Sequence, residues 1–254
     1  MINLQELRRW KTMGRAHEVR KVAMEKTAAR KSKLYAKFGK EIYMAAKAGG
    51  PDPDSNLNLK RLIERAKQNQ VPADVVKRNI DKSKGGVGED YSPARYEGFG
   101  PGGATIIIEC LTDNANRTYT DVRNCFTKTG GNLGVLNSVS YLYDFCSYVS
   151  FTGMDEDEAL ETLIMNDCDI ENIESIDEVI NVKGKPGELD KIIEALKSTE
   201  KDLQFYESGV VWLPQSYIDL DEESLAKFKH FLNMTDDVDD IQDVYHNVNI
   251  PEEE

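Results

Sequence analysis

The stretch "ATIIIECL" at residues 104–111 is followed directly by "NRTYTDVRNCFTKTGG" at residues 116–131. The first is a short β-branched apolar run and reads as a strand. The second places Val122 and Phe126 four residues apart and stops at Gly130–Gly131, so it reads as a helix with a glycine end. A strand leading into a helix through a short link predicts a mixed fold, and the same alternation continues downstream. "VSYLYDFCSYVSF" (139–151) alternates well enough for a strand pair or one bent strand. "DEDEALETLIMND" (155–167) opens with four acids, which favour a helix N-terminus through the macrodipole. "DEVINVKG" (177–184) and "SGVVWLP" (208–214) read as strands flanking the amphipathic helix "GELDKIIEALKST" (187–199). A last helix, "DEESLAKFKHFLNMT" (221–235), precedes a strand in "IQDVYHNV" (241–248). The expectation is α/β sandwich units with helices on one sheet face.

Upstream the character differs. Residues 23–47 read as one long helix with Tyr35, Phe38, Ile42 and Ala45 on a buried face. Lys26, Arg30, Lys33, Lys37 and Lys40 recur at the same steps on the opposite face. "GGPDPDSN" (49–56) breaks this helix, and Ser55 or Asn56 can cap a second one with Leu59, Leu62, Ile63 and Ala66 as its core stripe. Pro72 stands where a third helix starts, Val75, Val76 and Ile80 bury its face, and "KGGVG" (84–88) stops it.

Charge divides along the same line. The chain of 254 residues carries a formal net charge of −13. Residues 1–84 hold 21 Lys and Arg against 9 Asp and Glu, a net of +12. Residues 85–254 hold 11 basic and 36 acidic side chains, a net of −25. Such asymmetry points to a nucleic-acid-binding part joined to an acidic part. Residues 15–40 carry nine basic side chains (Arg15, Arg20, Lys21, Lys26, Arg30, Lys31, Lys33, Lys37 and Lys40) and only Glu18 and Glu25 as acids. Like charges four residues apart oppose helix formation, so a stripe this uniform is better explained by phosphate binding than by solvation alone. Lys60, Arg61, Arg65, Lys77 and Arg78 continue the bias. Phosphate contacts position a protein without reading sequence, so DNA and RNA both remain open as the partner. The acidic segments are candidate contacts for a protein partner or for the chain's own basic helices.

Other chemistry finds little footing. His17, His230 and His246 have no second histidine or cysteine at ligand spacing. "TDDVDD" (235–240) lacks the Asp-x-Asp-x-Asp-Gly frame of a calcium loop and reads as a solvated acidic turn. "GFGPGG" (98–103) precedes a strand without a following Gly-Lys-Ser/Thr, so it reads as a turn with glycines at positive φ. The serines of "NSVSY" have no nucleophile-elbow context. No catalytic residue, metal or cofactor is expected. Cys110, Cys125, Cys146 and Cys168 lie far apart and read as free thiols of a reducing cytoplasm. No apolar run reaches the length of a spanning helix, so a cytoplasmic protein with no membrane partner is expected.

Several longer motifs resemble the YebC family of transcriptional regulatory proteins and translation factors. They are "MGRAHEVRK" (13–21), "SKLYAKFGKEIYMAAKAGGPDPDSN" (32–56), "RAKQNQVPADVVKRNIDKSKGG" (65–86), "RYEGFGPGGATIIIECLTDNANRT" (95–118), "TGGNLG" (129–134), "SVSYLYDF" (138–145) and "DDVDDIQDVYHNV" (236–248). The wording "YAKFGKEIY" is closest to the subgroup without the usual Gly-His-Ser-Lys-Trp start. Residues 1–12 precede the resemblance, and Met13 aligns with the family's first methionine.

The resemblance implies an α+β fold of three domains around a cleft. A basic helical domain with its linker would span 1–90. A split ferredoxin-like α/β domain would take 91–137 and 214–254, and an inserted acidic one 138–213. It further implies a non-enzymatic regulator that binds DNA in transcription or, alternatively, ribosomal RNA as a ribosome-associated translation factor. A protein–protein adaptor closed by its own opposite charges is the reading from another class.

Overall fold

A computed structural model describes residues 31–85, 91–176 and 178–250. The chain is α+β and divides into two compact units, Met1–Tyr91 and Ser92–Glu254.

The first unit is helical in its described part. Helix α1 is described over 31–49, α2 spans Leu57–Gln68 and α3 spans Ala73–Lys84. Gly50, with φ of 93°, ends α1 in the left-handed region. The buried Asn56 then caps α2, its Oδ1 accepting from the Leu59 N–H at 3.1 Å. Its Nδ2 donates to the carbonyls of Ala45 (2.9 Å) and Gly50 (2.8 Å), tying the end of α1 to the start of α2. Phe38, Ile42, Ala45 and Ala46 of α1 pack with Leu59, Leu62 and Ala66 of α2 and Val76 of α3. These are the apolar stripes that the spacing predicts. Of the two capping candidates, the structure selects Asn56.

The second unit contains two antiparallel four-stranded sheets. In the first, the strand order is β3-β1-β2-β8, with β1 Ser92–Phe99, β2 Thr105–Thr112, β3 Asn132–Leu133 and β8 Ile241–His246. Helices α4 (Ala115–Lys128) and α7 (Glu222–Asp236) cover one face. The run "TIIIEC" alternates across β2. Ile106, Ile108 and Cys110 face Phe126, Phe228 and Phe231, while Ile107 faces Tyr143 and Val139 on the other side. Gly98 is required here, because a Cβ would stand 2.6 Å from the Asn132 carbonyl oxygen and 2.8 Å from the Phe126 ring. In the turn before β2, Gly102 and Gly103 take φ of 65° and 84°, as the glycine run predicts.

The second sheet has the order β5-β6-β4-β7, formed by β4 Tyr143–Thr152, β5 Ile170–Ile176, β6 Val179–Gly184 and β7 Gln204–Pro214. With α5 (Glu156–Met165) and α6 (Leu189–Lys197) between them, the chain order is β-α-β-β-α-β, the ferredoxin-like arrangement. Val149, Phe151, Ile180 and Val182 pack against Ala159, Leu163, Leu189, Ile192 and Leu196 of the two helices. Residues 139–151 form no strand pair: a 3-10 turn at Ser140–Leu142 leads into the single strand β4. The register of β4 against β7 shifts between Ser150 and Phe151. All four cysteines are buried free thiols. Among the described residues no helix is long and apolar enough to cross a membrane.

Candidate nucleic-acid interface

On an α-helix, positions 33, 37 and 40 fall within an arc of about 60°. Phe38, Ile42 and Ala45 point away from that arc into the core of the first unit. The helix therefore buries one face and turns the half-buried Lys33, Lys37 and Lys40 to the other, while the exposed Lys31 lies about 160° from Lys33, off that arc. Arg15, Arg20, Lys21, Lys26 and Arg30 lie outside the described residues.

The second helix behaves differently. Lys60 is exposed, and Arg61 donates to Asn58 Oδ1 at 2.9 Å. Arg65 turns inward. Its guanidinium lies 5.9 Å from the Phe38 ring centroid and 4.0 Å from the Glu41 carboxylate of α1. It braces α2 against α1, so part of its charge is already matched. On α3, Lys77 and Arg78 are exposed, and Lys84 donates to Asp81 at 2.8 Å. That hydrogen bond, aided by the Lys84 charge, holds the Asp81 carboxyl below the usual carboxylate range.

A cation–aromatic cluster joins the ends of α1 and α3. The Tyr43 and Tyr91 rings meet edge to face with centroids 6.1 Å apart. The Lys47 and Lys82 ammonium groups each stand 5.7 Å from the Tyr43 ring, and Lys40 stands 5.2 Å from Tyr91. Sequence reasoning missed Lys47 and Lys82. The i, i+4 spacing of Tyr43 and Lys47 is a usable signal for one of them, but the approach of Lys82 depends on how α3 packs. Between α2 and α3 lies an open groove of about 300 Å³, with Ile63, Val71, Val76 and Ile80 at its floor and Lys67, Lys77 and Lys84 among its lining. Helices α2 and α3 are joined by residues 69–72, a link of the length used in helix-turn-helix units.

This arrangement offers a set of point charges on the helical unit. Lysines on one helix face can neutralise successive phosphates, and aromatic rings flanked by lysines are a common accompaniment in proteins that hold nucleic acid.

Comparison with known proteins matches the chain to a family. Residues 15–86 match the family described as the TACO1/YebC protein N-terminal domain, and residues 91–248 match the TACO1/YebC second and third domain. A "Probable transcriptional regulatory protein" of Alteromonas mediterranea is 49% identical over 239 residues, covering 94% of this chain and 100% of the relative. One of Pseudoalteromonas atlantica bearing the same name is 51% identical over 241 residues, covering 95% and 99%. The crystal structure of the conserved hypothetical protein Aq1575 from Aquifex aeolicus has a TM-score of 0.75 and 36% identity, covering 89% of this chain and 93% of that one.

Proposed function

We propose that this chain, which belongs to the TACO1/YebC family, is a non-enzymatic regulator of gene expression that holds duplex DNA by its phosphates. The observation that carries the reading is the concentration of positive charge: +12 over residues 1–84 against −25 over the remainder, with Lys33, Lys37 and Lys40 turned away from the core. In this reading Arg15, Arg20, Lys21, Lys26 and Arg30 extend the stripe, and Lys31, Lys60, Arg61, Lys77 and Arg78 add flanking phosphate contacts. Arg65 contributes mainly by bracing α2 on α1. The short α2–α3 link and the relatives' name as transcriptional regulatory proteins support DNA.

The protein works in the cytoplasm, and sheet membership supports a split domain of 91–137 and 214–254 around an insert at 138–213. A second reading, ribosomal RNA in translation, uses the same contacts, because a set that reads backbone charge without sequence fits either nucleic acid.

The test reverses the charge of Lys26, Arg30, Lys33 and Lys37 together and compares wild type and variant for duplex DNA binding and ribosome co-sedimentation at low and moderate salt. Weaker DNA binding with a flatter salt slope supports the proposal. Stripe-dependent ribosome association without DNA binding assigns the stripe to RNA. Unchanged affinity and slope in both assays would leave it a solvated face.

A further inference from the structure

The loop after β3 exposes its most apolar residues at its tip. Val135 is 77% exposed and Leu136 58%, with Tyr141 at 68% a few residues on. Scattered exposed hydrophobics need no explanation, but two adjacent ones on a fixed turn are a different case. The Ser138 N–H donates to the Val135 carbonyl at 3.1 Å, and Asn137 takes φ of 67°, which asparagine tolerates.

The turn is clamped from within the protein. Glu97 on β1 is 1% exposed, and its Oε2 accepts from the N–H groups of Val139 (3.0 Å) and Ser140 (2.9 Å). Its backbone carbonyl accepts from the Gly134 N–H at 2.8 Å. Arg95 pairs with Glu97 Oε1 at 3.2 Å and donates to Asn137 Oδ1 at 3.1 Å. Its guanidinium lies 4.8 Å from the Trp212 ring, whose Nε1–H donates to Glu109 at 3.0 Å. Burial alone would raise the Glu97 carboxyl. The amides of Val139, Asn137 and Ser140, with the Arg95 charge, hold it below the usual range instead. A buried carboxylate is a costly way to order a connector. Here its effect is to fix the backbone beneath exposed aliphatic side chains, the kind of pre-organisation that lowers the cost of binding.

We propose that residues 134–141 are a pre-set apolar finger that docks on a partner protein presenting apolar anchors within a basic surface. Charge selects that partner. The chain from residue 85 onward holds 36 acidic and 11 basic side chains, a field that repels phosphate and attracts cationic protein. An aliphatic wedge between nucleic-acid bases fits that field poorly.

The test uses the full chain and two short labelled peptides, one alternating Lys and Leu and one with Ser in place of Leu, followed by fluorescence anisotropy at two salt concentrations. The Lys–Leu peptide is expected to bind more tightly than the Lys–Ser peptide and to weaken with salt. Val135→Ser with Leu136→Ser should weaken it by about tenfold or more, equivalent to ~1.4 kcal/mol. Glu97→Gln, which keeps both aliphatic residues but loosens the clamp, should weaken it too, with folding checked by circular dichroism.

No binding of the Lys–Leu peptide, or equal binding by the Val135→Ser/Leu136→Ser variant, would overturn the proposal. So would equal affinity for the Lys–Ser peptide, which leaves charge alone. Competition by a single-stranded oligonucleotide that depends on Val135 and Leu136 would assign the finger to nucleic acid. Self-association lost in the variant would assign it to a second copy of this chain.

Discussion

Replacing Glu97 by alanine removes the acceptor on which the 134–141 turn is built. Two backbone N–H groups, of the buried Val139 and the half-buried Ser140, lose their carboxylate partner. Each stranded donor costs about 1–3 kcal/mol. Arg95 loses its ion-pair partner but keeps Asn137 and its stack on Trp212, so its share is smaller. The expected loss is about 3–5 kcal/mol, the range for breaking a buried pair from one side. Glu97→Gln retains an acceptor oxygen and should lose only about 1–3 kcal/mol. Urea unfolding followed by Trp212 fluorescence, with Trp10 replaced by phenylalanine, measures both, and hydrogen exchange at residues 138–140 reports the turn itself. The pH dependence has a definite sign. Because the folded carboxyl is depressed, its stabilisation is complete above the ordinary carboxylate pKa and is lost as pH falls through the lower folded value. Glu97→Gln should flatten that acid limb. A loss below ~1 kcal/mol for Glu97→Ala, with unchanged exchange at 138–140, would refute the clamp.

Asn56→Ala should destabilise the helical unit by about 2–3 kcal/mol, from a lost cap and two stranded carbonyls, read as faster amide exchange across α1 and α2 in the full chain. Burial, with the nearby Asp121 charge, pushes the Cys125 thiol up to about 11, and burial pushes Cys146 up to about 11. Alkylation of the native protein at pH 8 should therefore be slow at both positions and become fast in denaturant; native rates equal to unfolded rates would contradict the packing.

What the sequence makes legible follows its periodicity. The stripes of α1 and α2 repeat at three and four residues over several turns, and β2 is almost wholly apolar, so each declares itself. Three strands do not. β1 reads "SPARYEGF", with a proline, a glycine and the inward Glu97 breaking any alternation. β5 places Ile170, Ile173 and Ile176 three apart, a helical spacing: a register shift against β6 between Ile170 and Asn172 lets Ile170 and Ile173 share the core face, while Ile176 is exposed. β3 is two residues long and is defined only by pairing with β1. The interface divides in the same way. Lys33, Lys37 and Lys40 are visible because one helix sets their common face. The inward turn of Arg65 and the approach of Lys82 to Tyr43 depend on neighbouring helices, which no local pattern encodes.

The two charged halves pose different recognition problems. A lysine stripe binds any phosphate backbone, so it supplies affinity and leaves the choice of site open. The acidic half carries a net field that repels the same backbone. Specificity then has to enter through something other than charge. An ordered loop that spends a buried Glu–Arg pair to hold Val135 and Leu136 in solvent is the feature of the acidic half best suited to it. A protein contact made there would raise the effective concentration of the stripe at whichever nucleic acid carries the partner. Two weak and individually unselective contacts would in this way become one selective attachment.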